Sequence, residues 1–247
     1  MTPEVRTPDL RTPDEATMSL VEHLDELRSR IIVVTISVVL AGIIGFFVSE
    51  TILELLQVPL PDGDYQLVQL TIGEALSVRL KIALYVGIAL SVPIIVYELW
   101  RFVTPGLTKR ERRLVWPLLI GAVVLFVFGV VLGYLIIPYA LDFLLSLTPA
   151  GIDASMLRLS DYVGFVLSIM LAFGLAFQFP VLLLIGARVG ILNYRFLSAR
   201  RRWAILGIVL FAIIATPGGD PTSSAVLSLV MYALFEGTLQ LIRAVRP

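Results

Sequence analysis

The sequence contains no cysteine and only one histidine, His23, in 247 residues. Without cysteine the chain cannot form a disulfide, use a thiol nucleophile or hold a Cys-ligated metal ion. A single histidine argues against a His-based metal site or a catalytic triad. We therefore predict that the protein has no metal site and no cofactor and is not an enzyme.

Charged residues are also scarce. They make up 15% of the chain, whereas hydrophobic residues make up 58%, and the mean hydropathy is +0.93. A soluble domain has roughly 25% charged and about 45–50% apolar residues. This chain has too few polar residues to cover a water-facing surface, so lipid must be most of its solvent. A disordered protein, a disulfide scaffold and a nucleic-acid-binding domain are excluded.

Long apolar runs dominate what remains, and they predict an all-α membrane protein with six transmembrane helices. A helix needs about 20 apolar residues to cross a bilayer core of roughly 30 Å. The fifth run has a length of only about 21 Å as a helix, so it requires either local thinning of the bilayer or support from neighbouring helices. The breaker sequence at 217–221 makes the last two runs a hairpin. The predicted spans are 31–49, 76–103, 115–139, 162–187, 203–216 and 223–242.

Basic residues are distributed very unequally between alternate segments. Sixteen lie in the N-terminal tail, in every second connection and at the C-terminus, while one, Arg158, lies in the remaining connections. Basic segments stay on the cytoplasmic side of the membrane. The pattern therefore predicts that both termini are cytoplasmic. Arg79 and Lys81, near the outer end of the second span, are expected to extend to the outer interface.

The segments outside the spans differ in character. Residues 1–18 contain Arg-Thr-Pro-Asp twice and few apolar residues, which indicates a disordered extension before a membrane domain at 19–247. From Ser19, leucines recur at helical spacing among charges, which indicates a short amphipathic helix in the inner interface. The apolar residues of the loop at 50–75 predict an interfacial helix and turn over the bundle.

Prolines and polar residues interrupt the apolar spans. Pro93, Pro138 and Pro180 lie in or at the ends of three adjacent spans. Each removes a backbone hydrogen bond and can kink its helix, and three kinks would give a concave wall. The alternative is that proline is simply frequent in membrane helices.

Gln178 lies deep in the fourth span, where its amide needs a partner that hydrocarbon cannot supply. That partner is either a neighbouring helix of this chain or the membrane helix of another protein. Glu98 and Glu236 are carboxylates within spans, and such groups are usually paired or functional.

Several motifs occur in a fixed order along the chain. They begin with His-Leu-Asp-Glu-Leu-Arg-Ser-Arg at 23–30 and a run at 100–113 that contains Trp, Phe, Pro-Gly-Leu and Glu-Arg-Arg. Together they resemble the signatures of the TatC family, the multispanning core of the twin-arginine protein translocase. The resemblance extends from about Ser19 to the C-terminus, and its further matches are Ser91 to Tyr97, Ala172 to Pro180, Thr216 to Asp220 and Met231 to Glu236.

The resemblance implies a function and a set of residues. Members of this family recognise signal peptides that carry two arginines on folded cargo. They recruit the single-span proteins TatA and TatB, form oligomeric complexes in the cytoplasmic membrane and depend on the proton-motive force. Their six helices form a concave structure. The implied signal-peptide-binding residues are Glu26, Glu111, Phe102 and Arg28, the implied partner-helix contact is Gln178, and the implied structural positions are Pro59, Pro93, Pro180 and Asp220.

The residue chemistry is compatible with that role. A guanidinium is charged at any relevant pH and suits a carboxylate bidentately, so two arginines call for two carboxylates. Taken alone, however, Glu111 could simply neutralise its four basic neighbours. Gln178 departs from the glutamate of many relatives, which questions a proton-coupling role but not a hydrogen bond. The alternatives are a small-solute or ion secondary transporter and a structural membrane subunit.

Overall fold

The structure is a computed structural model that describes residues 20–60, 65–103, 109–149 and 156–245, with the backbone alone at 20–23, 103, 109–115, 189 and 245. The predicted disordered extension at 1–18 lies outside the described residues. In chain order the elements are α1 (Leu20–Phe47), α2 (Ser49–Gln57), β1 (Gln66–Val68), α3 (Glu74–Val103), α4 (Lys109–Ser146), β2 (Met156–Arg158), α5 (Leu159–Ala176), α6 (Phe179–Val189), α7 (Tyr194–Ala199), α8 (Arg201–Ala215) and α9 (Pro221–Val245).

Apolar helices make this a multi-pass membrane protein. Within the described residues, five helical stretches are long and apolar enough to cross a membrane: Leu24–Phe47, Glu74–Phe102, Trp116–Ser146, Leu159–Arg188 and Pro221–Ala244. Each contains most of one predicted span. The remaining predicted span, 203–216, is the helix α8, whose 15 residues cover about 22 Å. A sixth crossing therefore stays a prediction.

The first helix is longer than the first predicted span. The segment from Ser19 was expected to be an amphipathic helix that leads into that span, and α1 runs without interruption from Leu20 to Phe47. The sequence between Leu20 and Ala41 contains no glycine or proline to end a helix. An ion pair between Glu26 and Arg30, one turn apart, supports the helix at this junction.

Helices α1 and α3 are antiparallel and pack closely through glycines. A Cβ atom on Gly87 would lie 2.6 Å from the carbonyl oxygen of Val38 and 3.0 Å from the backbone nitrogen of Gly42. Nearer one end of the contact, the hydroxyls of Ser37 and Ser91 lie 2.9 Å apart in a hydrogen bond. The absence of side chains at the crossing allows the two backbones to approach as small residues do in membrane helix pairs.

A second glycine contact joins α4 to α5. A Cβ atom on Gly129 would lie 2.6 Å from the carbonyl oxygen of Phe173, and one on Gly133 would lie 3.0 Å from the Cα atom of Met170. Phe173 itself is fully buried. These helices, with α9, enclose the main core, whose largest buried side chains include Phe173, Phe235, Ile169, Ile137, Leu227 and Leu239.

The three predicted proline sites behave differently. Helices α3 and α4 continue through Pro93 and Pro138, whereas the fourth apolar stretch is divided: α5 ends at Ala176 and α6 begins at Phe179 with Pro180 in its first turn. A proline lacks the N–H that the preceding turn would bond, so the break immediately before Pro180 has a local cause. The concave shape that kinks would produce stays a prediction.

A small β-sheet adds to the mostly helical architecture. Strand β1 pairs in parallel with β2, and Leu67 lies opposite Leu157. The connection at 50–75 therefore contains the predicted helix, α2, and also a strand. A three-residue strand is too short to show the alternation of apolar and polar residues by which strands are identified in a single sequence.

Buried Glu74 fixes this sheet to the helices. It begins α3, is 2% exposed, and accepts the backbone N–H groups of Leu70, Thr71 and Ser160 and the Nε–H of Arg158. One carboxylate thus joins the connection before α3 to the start of α5.

The charged residues expected at the outer interface have partners within the protein. The Nζ atom of Lys81 donates to the carbonyl and hydroxyl oxygens of Ser160 at 2.9 and 2.8 Å. Arg79 lies 3.6 Å from Glu50 in an exposed ion pair. That both residues lie at the outer interface stays a prediction.

The predicted hairpin between the last two helices is present. Residues 217–219 form a single 3-10 turn, with positive φ angles of 75° and 67° at Gly218 and Gly219, which glycine adopts without a Cβ clash. Asp220 is fully buried, and its two carboxylate oxygens accept the N–H groups of Thr222 and Ser223. It therefore caps α9. Pro59, the last of the four positions with an implied structural role, is buried two residues after the end of α2.

Candidate functional site

Two carboxylates share one guanidinium where α1 and α3 meet. Arg30 donates from Nη2 to Oε1 of Glu26 at 2.6 Å and from Nη1 to Oε2 of Glu98 at 2.7 Å. The side chains are 14%, 19% and 9% exposed for Arg30, Glu26 and Glu98. Partial burial strengthens charge-assisted bonds of this length, since water screens them less.

Positions along two helices create this cluster. Glu26 and Arg30 are four residues apart on α1, so they lie on one face. Glu98 reaches Arg30 from α3, 68 residues away in sequence. The antiparallel register that pairs Ser37 with Ser91 also brings Arg30 opposite Glu98, because both pairs follow the same alignment of the two helices.

The cluster leaves polar atoms without partners. The Oε2 atom of Glu26 and the Nε atom of Arg30 are buried and have no hydrogen-bond partner among the described residues. An unpaired buried carboxylate oxygen is costly, and most such atoms in proteins are satisfied. The arrangement therefore provides an acceptor for an additional donor, and a cationic donor suits it best.

The other predicted signal-peptide residues are placed only in part. Arg28 is exposed on α1, next to the cluster in sequence. Phe102 is half-buried near the end of α3, one turn beyond Glu98. Glu111 belongs to the first turn of α4, but its side chain lies outside the described residues. The structure thus brings Glu26 together with Arg30 and Glu98, two residues that the implied set did not contain.

Two signals in the sequence point to parts of this cluster. The four-residue spacing of Glu26 and Arg30 predicts an ion pair on a helix, and Glu98 is a carboxylate in an apolar stretch, which requires a partner. The pairing of Glu98 with Arg30 depends on how α1 and α3 are aligned, and that alignment cannot be read from either helix alone.

Gln178 lies at the break between α5 and α6, inside the protein. It is buried, and its Nε2 atom donates to the carbonyl oxygen of Ala122 on α4 at 3.0 Å. Its Oε1 atom is buried and has no partner within the described part of the chain. A second apolar cluster, with Phe126 and Val181 among its members, packs around this position.

The remaining carboxylate of the spans, Glu236 on α9, lies 3.1 Å from Arg201 at the start of α8. It is therefore paired with a residue of the preceding helix. In the ranges that the structure describes, no group of three His, Cys, Asp or Glu side chains could hold a metal ion.

Comparison with known proteins identifies the family. The family model "Sec-independent protein translocase protein (TatC)" matches residues 22–229. A Sec-independent protein translocase protein TatC from Deinococcus radiodurans is 36% identical, with 94% of this chain and 88% of the relative covered. One from Synechocystis is 37% identical, with 93% and 89% covered.

A solved structure agrees. The crystal structure of the twin arginine translocase receptor TatC is 31% identical to this chain, covers 90% of it and 99% of its own length, and superimposes with a TM-score of 0.77. The sequence motifs, the helical architecture and these similarities all agree. The chain belongs to the TatC family of Sec-independent protein translocase proteins.

Proposed function

We propose that this protein is the signal-peptide-recognising core of a twin-arginine translocase, which exports folded proteins across the cytoplasmic membrane using the proton-motive force. The observation that carries the proposal is the buried Oε2 atom of Glu26, which has no partner among the described residues, in a carboxylate that belongs to a family motif. A guanidinium of the signal peptide would supply the missing donors.

The arginine pair requires a second carboxylate, and we assign it to Glu111. This residue follows Phe102 along the chain, in the first turn of α4. Phe102 and Arg28 complete the signal-peptide-binding surface. The apolar segment of the peptide would then continue along the concave face of the helices.

The proposed topology has six spans, with α8 as the fifth, and both termini in the cytoplasm. The sixteen-to-one distribution of basic residues supports the orientation. The β-sheet supports the alternation, because β1 precedes α3 and β2 follows α4. A chain that crosses the membrane twice between two strands returns them to the same side, where they can pair.

The proposed partners are TatA and TatB, further copies of this chain, and lipid. Gln178 is the proposed contact for a partner's membrane helix, since its Oε1 atom accepts no hydrogen bond from the described part of the chain. Pro59, Pro93, Pro180 and Asp220 shape the scaffold that carries these contacts. Nucleic acid is not among the proposed ligands.

Binding of a synthetic twin-arginine signal peptide to the detergent-solubilised full chain tests the proposal. Hydrogen bonds to charged groups contribute about 1.5–3 kcal/mol, so Glu26→Gln and Glu111→Gln should each raise the dissociation constant by about tenfold or more. Replacing the two peptide arginines by lysines should also weaken binding to the native protein, because an ammonium cannot bind a carboxylate through two parallel N–H groups.

Glu54→Gln is the matched control, since Glu54 is exposed on α2, away from the cluster, and should leave the dissociation constant unchanged. In a double-mutant comparison the Gln variants should discriminate arginine from lysine less than the native protein. Unchanged affinity in both Glu26→Gln and Glu111→Gln would contradict the site. Absence of any peptide binding would favour a secondary transporter or a structural subunit.

A further inference from the structure

The charge balance around Arg30 suggests a role for Glu98. Two carboxylates face one guanidinium, so the cluster of Glu26, Arg30 and Glu98 carries a net charge of −1. Each carboxylate receives one terminal nitrogen of Arg30, and neither is held bidentately. One incoming guanidinium, with its charge of +1, would balance this net charge.

We propose that Arg30 and Glu98 are positioning residues for arginine recognition: Glu98 holds one side of the Arg30 guanidinium, so that Arg30 orients Glu26 without neutralising it. The inference rests on the proposed function, because it concerns how the carboxylate of Glu26 is prepared for the signal peptide. Neither Arg30 nor Glu98 is required to touch the peptide.

The hydrogen bonds explain why both residues are needed. Arg30 lies one helical turn from Glu26 and could bind both of its oxygens in the fork geometry that guanidinium and carboxylate prefer. Glu98 holds Nη1 at 2.7 Å, and Nη2 donates to Oε1 of Glu26. Nε of Arg30 and Oε2 of Glu26 have no partner among the described residues, so Oε2 remains available to a further donor on a carboxylate whose rotation Arg30 restrains.

Substitution of Glu98 by glutamine tests this arrangement. Glutamine has almost the same shape and can still accept from Arg30, so the variant removes only a charge. The cluster becomes neutral, and the dissociation constant for a synthetic twin-arginine peptide should rise by roughly fivefold, as expected for loss of a nearby unit charge at a partly buried site. Glu98→Asp keeps the charge and should bind within about twofold of the native protein.

A double variant separates positioning from simple stability. Arg30→Gln combined with Glu98→Gln leaves Glu26 as the single charge, which restores the net value of −1. Its affinity should recover relative to Glu98→Gln alone. Its preference for the arginine peptide over a lysine peptide should fall below that of the native protein, because nothing orients Glu26. If Glu98 mattered only for packing, the double variant would bind no better than Glu98→Gln.

A control variant and a test of folding accompany these measurements. Glu50→Gln disrupts an exposed ion pair at the opposite end of α1 and α3 and should not change peptide binding. Far-ultraviolet circular dichroism and the thermal midpoint establish that each variant is folded. If Glu98→Gln does not fold, Glu98→Asp and the double variant still test the proposal.

Glu26→Gln, measured in parallel, separates the two proposals: unchanged binding there contradicts the proposed site itself. Weakened binding by Glu26→Gln with native binding by Glu98→Gln overturns only the positioning role. A double variant weaker than Glu98→Gln, or equal losses in Glu98→Gln and Glu98→Asp, would also overturn it.

Discussion

The side-chain amide of Gln178 donates a hydrogen bond to the backbone carbonyl of Ala122, with 3.0 Å between nitrogen and oxygen. Ala122 is completely buried on α4, and Gln178 lies at the break between α5 and α6. The bond therefore ties the fourth apolar stretch to α4 at the point where α5 ends and α6 begins.

We predict that Gln178→Leu leaves signal-peptide binding nearly unchanged and weakens partner docking or transport. Hydrogen bonds between membrane helices contribute only about 0.6 kcal/mol on average and up to about 1.7 kcal/mol, so the defect should be partial. Peptide affinity, crosslinking to the partner's membrane helix and export of a folded reporter would be measured together.

Gln240→Leu provides the comparison for Gln178→Leu, because Gln240 is an exposed glutamine on α9 and should tolerate the same change. Native levels of export and crosslinking in Gln178→Leu would remove this residue from the partner-binding surface.

The topology can be tested by cysteine labelling, since the chain has no cysteine of its own. Single cysteines at Asp62 and Asp153 should react with a membrane-impermeant thiol reagent in intact cells, whereas one at Thr108 should react only after the membrane is opened. The reason is the distribution of basic residues, which predicts that the connection around Thr108 lies in the cytoplasm. Labelling in intact cells of the cysteine at Thr108 alone would mean that the orientation is opposite to the one proposed.

Glu74→Gln should destabilise the protein more than its small size change suggests. Oε1 of Glu74 accepts from Ser160 and Arg158, and Oε2 accepts from Leu70 and Thr71. A glutamine in either orientation would place an NH₂ group against two N–H donors, which leaves buried donors unsatisfied. The midpoint of thermal unfolding in detergent should fall.

Glu50→Gln is the reference for Glu74→Gln, since it removes a carboxylate from an exposed ion pair with Arg79, and exposed pairs contribute little. Equal midpoints for the two variants would mean that the four hydrogen bonds to Glu74 do not hold the sheet and helices together.

Gly87→Ala should force α1 and α3 apart. The new Cβ atom would lie 2.6 Å from the carbonyl oxygen of Val38, and backbone cannot move aside as a flexible side chain can. Overpacking of this kind costs about 1–3 kcal/mol. Chemical or thermal unfolding in detergent would measure the loss, and Gly121→Ala, which meets nothing within 4 Å, should be close to neutral. A similar effect of both variants would refute close packing at Gly87.

Much of the architecture was readable from the sequence because lipid imposes simple rules. A run of apolar residues must be helical in hydrocarbon, so the five long stretches and the hairpin at Asp220 followed directly. The motifs identified the family, and the four-residue spacing of Glu26 and Arg30 is a further signal, for a pair on one helical face.

Contacts between distant segments were not readable. The bond from Arg30 to Glu98 and the attachment of Lys81 to Ser160 join residues 68 and 79 positions apart, and they depend on helix alignment rather than on local pattern. A polar side chain near the end of a span can find hydrogen-bond partners either at the membrane interface or on a neighbouring helix. Composition cannot decide which of the two a given side chain reaches, so the bond from Lys81 to Ser160 could not be predicted.

The pairing of β1 with β2 also constrains the order in which the protein can be completed. Gln66 lies opposite Met156, so at least 90 residues must leave the ribosome after the first strand before its partner exists. Until then Glu74 lacks two of its donors, Ser160 and Arg158, and the edge of β1 is open to other chains. Synthesis of α3 and α4 therefore has to precede the pairing of the two strands.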